Sequence, residues 1–127
     1  MHHSRLSTLV LDCCGDDLAA ATAFWSRALG KPVANPDQDG DGKYAELGTA
    51  TDEPIILLQR VDHPSRVHLD IETDDLEAEV SRLERLGAKR MSFVRGRWWV
   101  MEAPSGHRFC VVRPQRDAFG PHLHRWD

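Results

Sequence analysis

The chain has 127 residues, of which 41% are hydrophobic and 28% charged, and its formal net charge is −4. This length and composition are typical of a single globular domain that buries one core without disulfides. The negative charge and the lack of a Lys/Arg cluster argue against nucleic acid as a partner. No run of about 18 apolar residues is present and the N-terminus lacks an apolar leader, so we expect neither a membrane span nor a signal peptide.

The first half of the sequence predicts a strand, a helix and two further strands. Leu9 and Leu11 alternate with other residues, as on the apolar face of a strand. A helix then begins at a cap formed by Asp16 or Asp17, and Gly30 ends it. The two further strands are predicted over 44–47 and 55–61.

The second half repeats this order, with three strands instead of two after the helix. A strand around Leu69 and Ile71 is followed by a helix whose apolar residues recur at every third or fourth position from Leu76 to Leu86. Gly87 ends this helix, and three short strands follow over 91–94, 98–102 and 108–113. The sequence therefore predicts the α+β class in one domain covering 1–127, with βαβββ modules at about 6–61 and 66–114 and a polar tail over 115–127.

Strand parity assigns two faces to the predicted sheet. If the helices cover the face that carries Leu69 and Ile71, then His68 and Asp70 lie on the opposite face. In the last strand, Cys110 belongs to that same opposite face. Polar side chains there indicate a ligand cavity or an interface rather than core. The candidate cavity residues are Thr8, Val10, His68, Asp70, Trp98, Trp99 and Cys110.

His68 is the candidate catalytic residue, because a histidine beside Asp70 can take part in acid–base chemistry. The alternative is a histidine held by structural hydrogen bonds. Trp98 and Trp99 are adjacent, so one of them should face the cavity and the other the helices. A cavity tryptophan would suit a flat or apolar ligand, and ordinary packing or a dimer contact is the alternative.

The three cysteines are Cys13, Cys14 and Cys110. An odd count with two adjacent members is a poor disulfide framework, and we therefore expect free thiols in a cytoplasmic protein. Cys13 and Cys14 point to opposite faces of a strand, which favours packing over joint binding of one metal ion.

Several motifs resemble the vicinal oxygen chelate superfamily, the fold of glyoxalases, bleomycin-resistance proteins and certain dioxygenases. The motifs are the His68-Leu69-Asp70-Ile71-Glu72 strand leading into Asp74-Asp75-Leu76, the turn over 103–109 with Pro104 and Gly106, and Phe24-Trp25 before Leu29-Gly30. The resemblance covers about Leu6 to Pro114. It implies two βαβββ modules in a pseudo-twofold arrangement that form a curved mixed sheet around a cavity, and it also implies a homodimer.

The resemblance also indicates where metal ligands would lie. In metal-using members, each module supplies one ligand from its first strand and one from its last. The corresponding positions here are Thr8, His68, Cys110 and a residue near Leu57 or Leu58. Threonine is a weak donor and leucine has no ligand atom, whereas catalytic metal sites usually use about three protein ligands. We therefore expect a degenerate site without a metal cofactor; the alternative is a divalent metal held by His68, Cys110 and Gln59.

The superfamily contains lyases, isomerases, dioxygenases, epimerases and non-catalytic drug binders, so the fold alone does not select a function. The leading interpretation is a glyoxalase-like protein or enzyme that binds a small organic molecule. One alternative is a metal-dependent lyase, isomerase or dioxygenase. Another is a non-catalytic protein that sequesters a drug or metabolite.

Overall fold

The order of helices and strands agrees closely with the prediction. The computed structural model of the protein describes residues 1–116 and 122–127. Its elements are β1 (His2–Cys14), α1 (Leu18–Leu29), β2 (Val33–Asn35), β3 (Tyr44–Leu47), β4 (Ile55–Val61), β5 (Arg66–Thr73), α2 (Leu76–Arg85), β6 (Lys89–Val94), β7 (Trp98–Glu102), β8 (Arg108–Val112) and β9 (His124–Trp126). The expected α+β class with a mixed sheet is confirmed.

The chain divides into two units. The first unit is Thr8–Val67, and the second unit is Met1–Ser7 together with His68–Asp127. In the first unit the strands lie in the order β2, β3, β4, β1, with β1 parallel to β4 and β3 antiparallel to both of its neighbours. The helix α1 packs against one face of these strands. The buried core residues of this unit are Leu18, Ala45, Leu47, Ile56 and Leu58.

In the second unit the strands lie in the order β5, β8, β7, β6. The β5–β8 pair is parallel, and the β8–β7 and β7–β6 pairs are antiparallel. Side chains from α2 and from one face of these strands form a second core. Its buried residues are Val80, Leu83, Met101 and Val111.

Matching aspartates begin the two helices. Asp17 Oδ1 accepts a hydrogen bond of 3.0 Å from the backbone N of Ala20, and Asp75 Oδ1 accepts one of 3.0 Å from Ala78. Such caps satisfy a backbone donor that the helix leaves unpaired. Gly30 ends α1 in the left-handed conformation, with φ of 67°. Neither helix of the described residues has the length and hydropathy needed to cross a membrane.

The C-terminal segment contains a strand where the sequence predicts a polar tail. β9 pairs antiparallel with His2–Ser4 of β1. Trp126 Nε1 donates a hydrogen bond of 2.8 Å to Ser4 Oγ, and the Arg82 guanidinium lies 3.9 Å from the centre of the Trp126 ring. The polar segment over 115–127 therefore contains a short strand that the sequence does not predict, and residues 117–121 lie outside the described residues.

A buried glutamate of α2 joins the N-terminal segment to the helix. Glu79 is fully buried, and its two carboxylate oxygens accept hydrogen bonds of 2.8 Å from the Arg82 guanidinium. His2 Nε2 lies 2.8 Å from one of the same oxygens. Burial acts to raise the pKa of the Glu79 carboxyl, but hydrogen bonds from Arg82, His2 and Ser4 lower it by more, so the pKa lies below its ordinary value of 4.5.

Candidate functional site

His68, Asp70 and Cys110 lie on the sheet face of the second unit that is opposite α2, which we call the open face. Asp70 pairs with Cys110 across β5 and β8, and the next pair along these strands is Ile71 with Val111. Ile71 and Val111 pack in the core with α2. Because side chains alternate between the two faces of a strand, Asp70 and Cys110 point away from that core, as does His68 two residues earlier.

The three side chains converge on a small volume. His68 Nε2 lies 3.5 Å from Asp70 Oδ1. One nitrogen of His68, one carboxylate oxygen of Asp70 and the Cys110 sulfur all lie within 4.8 Å of one another. The His68 and Asp70 side chains are 15% and 14% exposed, so they are largely withdrawn from solvent but can still be reached by a small molecule.

The carboxylate of Asp70 has an unsatisfied oxygen. Its Oδ1 atom is buried and has no hydrogen-bond partner among the described residues. The 3.5 Å separation from His68 Nε2 is longer than the usual range of about 2.7–3.2 Å for a hydrogen bond from nitrogen. A buried acceptor left in this state is costly, so the position favours a donor or a cation supplied by a ligand.

The arrangement is convergent and not a linear relay. In a nucleophilic relay, a histidine uses one ring nitrogen toward the carboxylate and the other toward the thiol, which places oxygen and sulfur about 7 Å apart. The oxygen of Asp70 and the sulfur of Cys110 lie within 4.8 Å. The geometry therefore favours a shared ligand atom or ion over an activated cysteine nucleophile.

The neighbouring strand adds apolar side chains to the open face. Val100 of β7 pairs with Cys110, and Trp98 lies two residues earlier on the same face. Trp99 pairs with Val111 and packs against the core with α2. Trp98 therefore shares the open face with Cys110, as strand parity requires of one tryptophan, and Trp99 lies on the opposite face of β7.

Glu72 has a structural position on the same face of β5. It is almost fully buried, and its Oε1 atom accepts a hydrogen bond of 2.6 Å from Arg5 Nε. Its other oxygen accepts one of 2.9 Å from the backbone N of Gln115. This buried ion pair holds the N-terminal strand and the segment that follows β8, so its carboxylate is already engaged.

Thr8, Val10 and Gln59 lie in the first unit, on the sheet face opposite α1. Leu9, between Thr8 and Val10, packs against the core with α1. Val10 pairs with Leu57 of β4, and Gln59 follows Leu57 by two residues on the same face. Gln59 therefore points to the face of the first unit that is opposite α1, which is the orientation that the alternative ligand set requires.

The same face of the first unit carries a buried acid. Asp12 pairs with Gln59 across β1 and β4, and its Oδ2 atom lies 3.6 Å from Arg66 Nε. Gln59 Nε2 donates a hydrogen bond of 3.3 Å to the Tyr44 hydroxyl. Burial, and then the charge of Asp12, raise the pKa of the Cys13 thiol, which favours its packing role over reactivity. Parity places Asp12 on this face, but no motif in the sequence singles it out.

The four positions that the superfamily resemblance assigns to metal ligands supply two strong ligand atoms, those of His68 and Cys110. Thr8 is buried in β1, Leu57 is apolar, and Leu58 is a core residue of the first unit. These positions alone do not provide the usual three ligands of a catalytic metal.

Asp70 is the potential ligand that sequence reasoning did not identify. The resemblance assigns one ligand to each strand, and His68 already occupies that place on the strand that carries Asp70. The signal was present, since residues two positions apart in a strand lie on the same face. Asp70 completes a set of nitrogen, oxygen and sulfur atoms with His68 and Cys110.

Comparisons with known proteins show the family and the fold. The family described as Glyoxalase-like domain matches residues 8–112. No match to the sequence was found among curated proteins. Among solved structures, a hypothetical protein from Bacillus halodurans C-125 superposes with a TM-score of 0.66 at 14% sequence identity. The match covers 92% of this chain and 99% of that chain.

Two enzymes share the fold. Methylmalonyl-CoA epimerase from Mycobacterium tuberculosis superposes with a TM-score of 0.60 at 15% identity, over 87% of this chain and 88% of that chain. Homoprotocatechuate 2,3-dioxygenase from Arthrobacter globiformis superposes with a TM-score of 0.57 at 17% identity, over 86% of this chain and 35% of that chain. At these identities the likeness concerns the fold alone. The match over residues 8–112 takes in most of the sequence, and the chain therefore belongs to the Glyoxalase-like domain family.

Proposed function

We propose that the protein binds a small organic molecule on the open face of the second unit, at His68, Asp70 and Cys110. The observation that carries this proposal is the buried Oδ1 atom of Asp70, which lacks a hydrogen-bond partner among the described residues. A ligand that donates a hydrogen bond to this oxygen removes the cost of leaving it unsatisfied. The partial exposure of His68 and Asp70 supports access from solvent.

The surroundings of Asp70 suggest the chemistry of the ligand. Trp98 and Val100 of β7 lie on the same face of the sheet, where they offer an aromatic and an aliphatic surface. Small-molecule sites commonly combine such apolar walls with a few polar groups that fix orientation. The proposed ligand accordingly has a hydroxyl or similar donor directed at Asp70 and a flat or apolar part packed on Trp98.

Proton transfer is the reaction that we propose to test first. Imidazole and carboxylate groups are the side chains that most often transfer protons in enzymes. His68 and Asp70 lie side by side on the open face, with 3.5 Å between Nε2 and Oδ1. An epimerase is among the structural neighbours, which makes isomerisation a suitable first assay. A protein that binds the same ligand without turnover would belong to the sequestering class.

The test begins with identification of the ligand by mass spectrometry of the extracted protein. Its affinity is then measured by calorimetry for the wild type, His68→Ala and Asp70→Asn. We expect both substitutions to weaken binding by about tenfold, the equivalent of one good hydrogen bond to a charged group. Asp39→Asn, in an exposed loop, is the matched control and should bind as the wild type does. Unchanged affinity in both site variants would refute the proposal.

We also propose that the protein is a cytoplasmic homodimer. The cytoplasmic location is supported by Cys13, Cys14 and Cys110, none of which forms a disulfide in the described part of the chain. The dimer is supported by the superfamily resemblance and by apolar side chains exposed on the outermost strand of the second unit, Met91 and Phe93.

A further inference from the structure

We infer that His68, Asp70 and Cys110 form a mononuclear site for a divalent cation of the zinc type, with all three protein ligands supplied by the second unit. The inference concerns the same open face as the proposed ligand site but does not depend on binding of an organic molecule. A protein that binds the cation but no organic molecule would still agree with this inference. A protein that binds an organic molecule but no cation would refute this inference and leave the proposed function standing.

The distances between the potential ligand atoms fit a shared ion. Nitrogen and oxygen ligands lie about 2.0–2.2 Å from zinc, so two of them at adjacent corners of a tetrahedron are roughly 3.3–3.6 Å apart. His68 Nε2 and Asp70 Oδ1 are 3.5 Å apart, which is long for a hydrogen bond and matches that spacing. All three ligand atoms lie within 4.8 Å of one another, so small side-chain adjustments bring the sulfur into range.

The chemistry of the three atoms favours zinc over magnesium or calcium. Magnesium and calcium select oxygen ligands, whereas zinc accepts imidazole nitrogen, thiolate sulfur and carboxylate oxygen together. Asp70 and an ionised Cys110 would contribute two negative charges, which a divalent cation neutralises. Three protein ligands also leave a position for a substrate atom, and a bound ion would supply Lewis-acid polarisation there.

The backbone holds the three ligands in fixed relative positions. His68 and Asp70 are two residues apart on β5, and Asp70 is paired directly with Cys110 of β8 in a parallel ladder. Sites carried on paired strands are more precisely placed than sites on loops. The unsatisfied Oδ1 atom of Asp70 is an independent sign that the group is oriented for a partner outside the described residues.

This set differs from the pattern that the superfamily resemblance implies, in which each module contributes ligands. Thr8 and Leu57, at the first-unit positions, have no strong ligand atom. It also departs from the expectation of a metal-free protein, because that expectation counted only one ligand on each strand. With Asp70 included, the second unit reaches three ligands of suitable type.

Cobalt is the probe for this site, because Co²⁺ replaces Zn²⁺ and its bond to a thiolate produces charge-transfer absorption in the near ultraviolet. The full chain is stripped with a chelator and titrated with Co²⁺ alone under reducing conditions. We expect saturation at a single Co²⁺ per chain, with thiolate-to-cobalt absorption that added Zn²⁺ displaces. If the wild type shows no thiolate-to-cobalt band, the inference is wrong.

The variants assign the ligands. Cys110→Ser should abolish the thiolate band, and His68→Ala and Asp70→Asn should each weaken Co²⁺ binding by about tenfold or more. Cys14→Ser is the matched control, since this exposed thiol lies in the first unit and its loss should leave the band unchanged. Thermal unfolding of each apo-variant separates loss of a ligand from loss of the fold. Retention of the band in Cys110→Ser, or its loss in Cys14→Ser, would contradict the assignment.

Discussion

Substitution of Asp70 should affect the stability of the protein and its ligand binding in opposite directions. Its buried oxygen lacks a hydrogen-bond partner among the described residues, which is a cost to the apo-protein. Asp70→Asn replaces the carboxyl group while keeping the shape of the side chain. We expect the variant to be as stable as the wild type or more stable by up to about 1 kcal/mol, as often occurs at functional positions.

Thermal or denaturant unfolding of the apo-protein measures this difference. Asp39→Asn, an exposed change of the same kind, should alter the free energy of unfolding by less than about 0.5 kcal/mol. If Asp70→Asn instead destabilises the protein by more than about 1 kcal/mol, the carboxylate has a structural role and not a binding role.

Glu79 should make the protein sensitive to acid. The pKa of its carboxyl is below 4.5 in the folded protein, because hydrogen bonds from Arg82 and His2 outweigh the effect of burial. The stabilisation that the ionised Glu79 carboxylate contributes is therefore fully present above 4.5, the pKa of this carboxyl in the unfolded chain. It is lost as the pH falls through the lower pKa of the folded state, where the carboxylate becomes protonated.

Glu79→Gln tests this directly through the free energy of unfolding as a function of pH. At neutral pH we expect a loss of about 2–3 kcal/mol, since Arg82 loses its buried counter-ion. Below pH 4.5 the wild type should lose stability more steeply than the variant, by up to about 1.4 kcal/mol per pH unit. Glu77→Gln, on the exposed side of α2, should have a smaller effect because solvent screens its pair with Arg90. Parallel pH profiles for the wild type and Glu79→Gln would contradict the assignment.

Among the elements, β9 is a strand whose contribution depends on one side chain. Trp126 donates a hydrogen bond to Ser4 and lies against the Arg82 guanidinium, so it links the C-terminal segment to β1 and α2. We expect Trp126→Ala to lower the free energy of unfolding by about 2 kcal/mol, from the lost hydrogen bond, the cation–π contact and the lost burial. Arg125→Ala, on the same strand with an exposed side chain, should change it by less than about 0.5 kcal/mol. Equal stabilities for the two variants in denaturant unfolding would show that β9 adds little.

The elements that the sequence predicts well have strong local signals. The caps at Asp17 and Asp75, the glycine after α1 and the alternation along the strands are determined by residues close in sequence. β2 and β9 each contain only three residues, which is too short for a periodic pattern. β9 pairs with β1 at the other end of the chain, so no local pattern can announce it. β2 pairs with its neighbour β3 across a polar loop, and its three residues are too few to reveal that pairing in the sequence.

The sequence predicts the sheet face on which the candidate site lies, but it does not predict the chemistry of the site. Parity alone places His68, Asp70 and Cys110 on one side of the sheet. The distance between the Asp70 carboxylate and the Cys110 sulfur depends on side-chain rotamers and packing, which no spacing rule specifies. The same is true of the Asp70 oxygen that has no hydrogen-bond partner among the described residues. The sequence therefore places the three residues on one face, and the structure adds the convergence of their ligand atoms on which the inferred cation site rests.

At the scale of the whole molecule, we expect the protein to be a dimer in solution. β6 ends the strand order of the second unit, so its outer edge has no strand partner among the described residues. Met91 and Phe93 on this strand are 44% and 46% exposed. An edge with exposed apolar side chains tends to be covered by another chain, and we expect a second copy to cover this one.

Light scattering over a range of concentrations should give twice the chain mass of 14.4 kDa. Met91→Lys places a charge on the edge and should shift the mass toward the monomer, since an unpaired charge is costly to bury in an interface. Leu86→Lys is the matched control, because this exposed leucine is the C-cap of α2 and not a residue of β6, so the variant should keep the mass of the dimer. A wild-type mass equal to the monomer at every concentration would rule out the dimer. A dimer that Met91→Lys leaves intact would instead show that the two copies meet at another surface.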